Sequence, residues 1–157
     1  MKKIVGVFSV LLLIILYMSF NTRNIQGLYN SLSVVREYAE YLKKDVLVIN
    51  DDELNNKENK NEFEIKIYNE MKKNNIYRII YHNDSKVESI VYKVDYFMSL
   101  FYGNKSYVYS SDGYTEEMQV DSINKFSESF DPEVNGKEFA VCENLERKNW
   151  FYCENNH

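Results

Sequence analysis

The chain has 157 residues, with 24 acidic and 19 basic side chains and a formal net charge of −5. Without Lys2, Lys3 and Arg23, which flank an apolar run at the N-terminus, 16 basic residues face 24 acidic ones. This balance disfavours nucleic acid or an anionic lipid surface as the main partner of the remaining chain, because both carry negative charge.

The apolar run occupies residues 4–20, directly behind Lys2 and Lys3. A bilayer core is spanned by ~17–25 apolar residues, and flanking lysines favour the cytoplasmic side. Residues 15–21 offer no pair of small residues two apart that would suit signal-peptide cleavage. We therefore predict an uncleaved anchor that contacts the plasma membrane through residues 4–20 and leaves the rest of the chain outside the cytoplasm. Secretion after cleavage is the alternative.

Apolar residues recur at alternating spacings of three and four along the next segment. They are Ile25, Leu28, Leu32, Val35, Ala39 and Leu42. This spacing predicts a heptad seam on an amphipathic helix. Gly27 lies within this helix and weakens it by ~1 kcal/mol relative to alanine. The seam either docks on the chain's own sheet or meets a second helix, from a homodimer or from another membrane protein.

The segment after this helix is mixed in character. Residues 45–50, DVLVIN, form either a short strand or the packed end of the connection, whereas the polar residues 51–60 predict a linker or a loose helix start. Asn61 followed by Glu64 is a helix N-cap signal, and the apolar residues after it fall on one face. We predict a second helix that ends at Asn74.

The remaining sequence is typical of strands. Residues 76–81 and 87–102 predict a hairpin whose second arm alternates with a period of two. Another strand is predicted at 106–110, and residues 120–130 are ambiguous and allow a short helix. Residues 138–153 predict a last hairpin.

These elements predict an α+β fold. A transmembrane helix continues into the amphipathic helix, and a second helix and an antiparallel sheet of about five strands follow. The expected divisions are a membrane anchor at 1–23, a juxtamembrane helix and linker at 24–60, and an extracytoplasmic domain at 61–157.

The last hairpin contains both cysteines. A four-residue loop at 146–149 makes Leu145 face Trp150, and counting outward places Cys142 opposite Cys153. If Leu145 and Trp150 form the closing hydrogen-bonded pair, the cysteines form a non-hydrogen-bonded pair, whose short Cα separation suits a disulfide. Such a bond persists outside the cytoplasm. Two free buried thiols are the alternative.

The sequence supports no catalytic, cofactor or metal site. A metal site at the cysteines would need His82 and His157, which show none of the usual ligand spacings. His82, Asp84 and Ser85 are the residue types of a nucleophilic triad, but they share one predicted turn, where they cannot converge. The five glycines form no phosphate-binding loop. We therefore predict no catalytic residue, no cofactor and no metal.

Aromatic residues are dense on or beside the predicted strands. They are Tyr77, Tyr81, Tyr92, Tyr96, Tyr107, Tyr109, Tyr114, Trp150 and Tyr152. An exposed aromatic row would stack on a glycan or bury against a partner. Tyrosine is also a natural strand residue, so the sequence favours a core role for most of these rings.

The order of these parts resembles the plan of type IV pilins and pseudopilins. The resemblance covers the basic start ending in Gly6, the apolar helix that continues into an amphipathic one, and the Cys142/Cys153 end of the sheet. The family usually carries Glu at the fifth position after this glycine, whereas this chain has Leu11. The resemblance implies a pilin-like or pseudopilin-like subunit.

Together these features predict a single-span, extracytoplasmic interaction or assembly component of an envelope complex, without a nucleic-acid partner. One alternative is a surface module that binds a small ligand or glycan. Another is the pilin-like subunit.

Overall fold

The computed structural model describes residues 25–94, 104–131 and 138–155. The predicted anchor at 1–23, the side chain of Ile25, Tyr96 and His157 lie outside this description. None of the helices in the described ranges is long and apolar enough to cross a membrane.

The described residues form four helices and seven strands. In chain order they are α1 (Ile25–Leu42), β1 (Val46–Asn50), α2 (Asp51–Asn56), α3 (Glu62–Lys73), β2 (Ile76–Asn83), β3 (Glu88–Val94), β4 (Asn104–Ser110), β5 (Met118–Val120), α4 (Ile123–Ser129), β6 (Ala140–Asn144) and β7 (Trp150–Asn155). The predicted α+β class is confirmed.

The strands form one sheet in the order β1-β2-β3-β4-β7-β6-β5, so the prediction of about five strands was too small. The sheet is also mixed rather than antiparallel, because β5 and β6 are parallel while the other described pairs are antiparallel. Parallel neighbours need a crossover connection. Helix α4 lies within that connection.

Helices α1 and α3 lie side by side and antiparallel. The start of α1 meets the end of α3 at Gly27, where an added Cβ would overlap the side-chain oxygen of Asn74. At the opposite end, the Tyr38 hydroxyl donates to Glu64 at 2.8 Å. Gly27, expected only to weaken its helix, therefore permits the close approach of two helices.

The main core lies between these helices and one face of the sheet. Of the predicted seam, Leu28, Leu32, Val35 and Ala39 are buried in this core, and Leu42 packs at its margin. The sheet contributes Leu47, Ile49, Ile76, Ile79, Tyr81, Ile90, Tyr92, Val94, Tyr107, Val141, Trp150 and Tyr152. The four buried seam residues thus pack within the chain, as the first of the two seam alternatives describes.

Residues 45–50, expected as a short strand or the packed end of the connection, contain β1, and residues 51–56, expected as a linker or a loose helix start, form α2. Strand β1 pairs with β2 along its whole length, and Leu54 of α2 is buried in the main core. The segment 24–60 therefore shares its sheet and core with the residues that follow it.

Candidate functional site

The face of the sheet opposite α1 and α3 carries one apolar row across five strands. The register places Val48, Ile80, Val91, Val108 and Phe151 side by side. Because side chains alternate between the faces of a strand, all five lie on the face away from the main core, which we call the open face. Val108 and Phe151 are buried, Ile80 and Val91 are half-buried, and Val48 is 49% exposed. Exposure therefore increases toward β1.

Polar rows flank this apolar row on the open face. On one side, Asn50, Arg78 and Lys93 are aligned, and on the other His82 and Ser89 are aligned with Val46, the one apolar member of these three. An apolar centre with a polar rim is the usual composition of a protein contact surface.

The other end of the open face is covered by the β4–β5 connection. Strand β4 is fourth in the sheet and β5 is last, so residues 111–117 must cross β7 and β6. Thr115 in this connection is buried, and the Glu117 carboxylate lies 3.9 Å from Cys142 Sγ. The connection thus lies at the disulfide end of the open face, the end at which Phe151 is buried.

The predicted disulfide is present at this covered end. Leu145 N–H donates to the Trp150 carbonyl at 2.9 Å, and Cys142 pairs with Cys153 in the predicted register. Their Cα atoms are 4.1 Å apart, and both side chains are buried. The disulfide ties β6 to β7 beneath the crossing connection.

The same corner brings three metal-ligating residue types together. Ligand atoms of Glu117, Cys142 and Cys153 lie within 4.8 Å of one another. Metals bind the thiolate form of cysteine, however, and both sulfurs are engaged in the disulfide. The arrangement therefore acts as a covalent cross-link in the oxidised protein.

An ion pair with two hydrogen bonds joins α1 to β3. Arg36 donates two hydrogen bonds to the Glu88 carboxylate, one of them at 2.7 Å, and its guanidinium lies 5.4 Å from the Tyr109 ring centroid. The hydrogen bonds to Glu88 raise the pKa of Arg36. Both charged groups are occupied by each other, so they anchor the helix to the sheet.

Glu64 is a buried carboxylate whose hydrogen bonds are all structural. It accepts from Lys57 Nζ at 2.7 Å, from the Tyr38 hydroxyl at 2.8 Å and from Asn61 N–H at 3.0 Å. Burial opposes ionisation, but these hydrogen bonds outweigh it and hold the pKa of Glu64 below its usual value. Burial and Glu64 together raise the pKa of Tyr38 to about 12. The group completes the capping box predicted from Asn61 and Glu64.

Most of the aromatic residues singled out in the sequence fill the core. Tyr81, Tyr92, Tyr107, Trp150 and Tyr152 are buried. Trp150 lies 5.9 Å from Tyr92 and 5.6 Å from Tyr109, measured between ring centroids. These rings stabilise the sheet and its helices and present no platform for a glycan.

The remaining rings of that set are less buried. Tyr77 and Tyr109 are half-buried, and Tyr114 is exposed on the crossing connection.

His82, Asp84 and Ser85 do not converge. His82 lies on the open face of β2, whereas Asp84 accepts hydrogen bonds from the backbone N–H groups of Lys86 and Val87. Those backbone hydrogen bonds lower the pKa of Asp84. The carboxylate is used to shape its own turn.

A separate apolar cleft of about 400 Å³ lies between α4 and the β5–β6 edge. Phe126, Phe130 and Phe139 line it, with ring centroids 5.0–5.5 Å apart, together with Met118 and Val141. Ser129 and Glu138 add polar groups to this lining, and the volume lies within the range of small-molecule sites.

Comparisons with protein families, with curated proteins and with solved structures found no match.

The sequence analysis did not single out the open-face residues. The available signal was DVLVIN, in which both faces of a strand are apolar. Such a run predicts burial on both faces, yet Val46 is 55% exposed and Val48 is nearly as exposed.

Proposed function

We propose that this chain is a membrane-anchored, extracytoplasmic assembly component of an envelope complex, and that it binds its partner with the β1 side of the open face. The observation that carries the proposal is the exposure of Val46 and Val48 next to half-buried Ile80 and Val91. A contiguous apolar surface with a polar rim is characteristic of a site of protein contact.

Two further features support the location. The apolar run at 4–20 is long enough for a bilayer span, and only four residues separate it from α1. The buried Cys142–Cys153 disulfide suits an oxidising compartment. The anchor would therefore hold the sheet close to the membrane, where its open face can meet a partner.

The expected role also agrees with the chemistry of the polar groups. Arg36 and Glu88 pair with each other, and Glu64 completes a helix cap. These charged groups support the helix layer. Binding through the open face would leave all of them undisturbed.

Site-specific photocrosslinking in native membranes tests this function. A benzophenone amino acid at Val48 should capture a protein, whereas the same probe at Ile65 of α3 should not. Ile65 is a matched control because it is 47% exposed, close to the 49% of Val48, but lies on the helix layer. Equal capture at both positions, or none at Val48, would contradict the proposal.

The location has its own test. Membrane fractionation and mass spectrometry of the mature N-terminus should show a membrane-bound chain that retains residues 1–23. A mature protein that begins after Phe20 would make it a secreted domain.

The cleft at α4 favours a second candidate function, the binding of a small apolar ligand. The naphthalene dye ANS should bind the wild-type protein, and Met118→Glu should weaken binding because Met118 lines the cleft and is exposed. Tyr114→Glu is the control, since Tyr114 is exposed and does not line the cleft. Unchanged dye binding by Met118→Glu would exclude the cleft as the site.

The pilin-like alternative stays a prediction that rests on the order of the parts.

A further inference from the structure

We infer that the partner at the β1 side of the open face is a second copy of this chain, whose β1 pairs antiparallel with β1 about a two-fold axis at Val48. The inference rests on the proposed function, because it names the partner of the same surface. Two seven-stranded sheets would join into one. Both helix layers would lie on the same side of it.

Strand β1 is an edge strand without the usual protection. It lies at the end of the sheet, and its sequence, VLVIN, has no charged residue and no proline. Natural edge strands commonly carry such residues, because unpaired backbone groups template the addition of another strand. The opposite edge, β5, is only three residues long.

The backbone of β1 presents hydrogen-bonding groups outward at alternate residues. Asn83 N–H donates to the Asp45 carbonyl at 2.7 Å, so Leu47 and Ile49 also direct their backbone groups toward β2. The backbone groups of Val46 and Val48, and the N–H of Asn50, therefore point away from β2. The Asn50 carbonyl serves as the N-cap acceptor of α2.

A two-fold axis at Val48 aligns the outward-facing backbone groups of one β1 with those of the β1 in the second copy. Val48 faces its own copy and exchanges two hydrogen bonds with it, while each Asn50 N–H donates to the Val46 carbonyl of the other copy. A two-fold axis normal to the sheet keeps each open face on the same side. The apolar rows of the two copies would then be continuous, from Ile80 through the two Val48 side chains to Ile80 of the second copy.

The charges that flank β1 are complementary in this register. Lys43 and Lys44 precede the strand, and Asp52 and Glu53 follow it. Antiparallel pairing centred on Val48 brings the start of β1 in one copy to the end of β1 in the other, so the basic end of one strand approaches the acidic first turn of α2 in the second copy. Asp45 approaches Asp51 of the second copy, but Asp51 is paired with Lys72 of its own chain at 2.9 Å.

Cysteine cross-linking of the full-length chain in membranes tests both partner and register. Cys142 and Cys153 are already paired, so one added cysteine is the sole free thiol among the described residues. Facing Cα atoms of a hydrogen-bonded pair are ~5.5 Å apart, within the range of a disulfide. Mild oxidation of Val48→Cys should therefore give a covalent dimer.

Val46→Cys is the matched control on the same strand. Val46 is at least as exposed as Val48, but in this register the two copies of Val46 are offset by four residues, roughly 14 Å. We expect Val48→Cys to give ~10-fold more covalent dimer than Val46→Cys, because a disulfide needs Cα atoms closer than ~7 Å. Equal yields would indicate random collision and overturn the inference, as would no dimer from Val48→Cys.

A second variant tests the interface without cysteine. Val48→Lys places two positive charges face to face, and its exposure in the single chain makes the fold tolerant of the change. Light scattering after detergent extraction should show dimers of the wild type and monomers of Val48→Lys, with the melting profile of the monomer retained. A dimeric Val48→Lys would overturn the inference.

Failure of this inference is distinguishable from failure of the proposed function. If the benzophenone probe at Val48 captures a different protein and Val48→Cys gives no dimer, the second copy is excluded and the assembly function stands. If the probe captures nothing, both fail. A captured product with the mass of two chains supports both.

Discussion

The two faces of the sheet are built from similar apolar side chains that end in different surroundings. On the helix-covered face, Ile79 and Ile90 are buried. Their strand neighbours on the open face, Ile80 and Val91, are half-buried, and Val48 beyond them is half exposed. Apolar surface left in water favours association. The difference shows that composition alone does not decide which apolar face is buried in the core and which is left exposed.

The open face itself has a buried end and an exposed end. Residues 111–117 cross its disulfide end, whereas Val46 and Val48 at the β1 end are about half exposed. Coverage is therefore set by where one connection crosses the sheet. Four experiments test this comparison, beginning with the largest expected effect.

The largest difference in stability is expected between a substitution at Leu32 and the same substitution at Val48. Leu32→Asp removes a buried side chain, which costs ~2–5 kcal/mol, and places a charge in an apolar core. Because a domain is stable by only ~5–15 kcal/mol, we expect this variant to be largely unfolded. In the monomer, Val48→Asp should lower the unfolding free energy by no more than about 1 kcal/mol, because the side chain is half exposed and strand propensities span only that range. Urea denaturation followed by circular dichroism measures both, and similar losses would contradict the assignment of the faces.

The disulfide should account for the next largest effect. Replacing Cys142 and Cys153 by alanine removes a cross-link between residues 11 apart in sequence, which the loop-entropy relation values at roughly 2–3 kcal/mol. Thiol labelling of the unreduced, denatured wild type should modify neither cysteine. Reducing agent should destabilise the wild type and leave the double variant unchanged. Sensitivity of the double variant to reductant would show that the effect has another source.

Gly27→Ala should destabilise the protein by about 1–2 kcal/mol, although alanine is favoured over glycine by ~1 kcal/mol in an isolated helix. The added Cβ overlaps the Asn74 side chain, and overpacking costs ~1–3 kcal/mol. The effect is measured by thermal or urea unfolding, with Ser33→Ala as an exposed control on α1.

A double-mutant cycle identifies the cause. Asn74→Ala removes the overlapping oxygen and should restore much of the stability lost in Gly27→Ala. Additive losses in the double variant would mean that the clash is not responsible.

Glu64→Gln should lower the stability by about 1 kcal/mol at pH 7, because the hydrogen bonds that now end on a charged group are weakened. The folded pKa of Glu64 lies below its ordinary value of 4.5. Its stabilising contribution is therefore fully present above pH 4.5 and is lost as the pH falls through the lower, folded pKa. The difference between wild type and variant, measured by urea denaturation, should shrink below pH 4.5. A constant difference down to pH 2 would show that ionisation of Glu64 is not involved.

Local signals predicted several elements well. The capping box at Asn61 and Glu64 places the start of α3, and the spacing of Leu28, Leu32 and Val35 places the buried stripe of α1. These features depend on residues three or four apart in one helix, so the sequence contains them directly. The alternation in β3 is predictable because it depends on residues two apart in one strand.

Features that depend on distant residues were missed. The three residues of β5 are too few for a periodic pattern, and their parallel pairing depends on the crossover through α4. The overlap that makes Gly27 necessary involves Asn74, almost 50 positions further along the chain. The two alternatives for the seam, docking on the chain's own sheet or on a second helix, likewise differ only in which distant element packs on α1.

By itself, the sequence determined the α+β class, the bounds of α3 and the pairing of Cys142 with Cys153, because turn length and side-chain periodicity act over a few residues. Only the tertiary structure decided that DVLVIN forms an edge strand and that one of its apolar faces is left exposed. The burial of an apolar side chain depends on which distant segment crosses it, and in this chain that segment covers the sheet at the disulfide end alone, among the residues described.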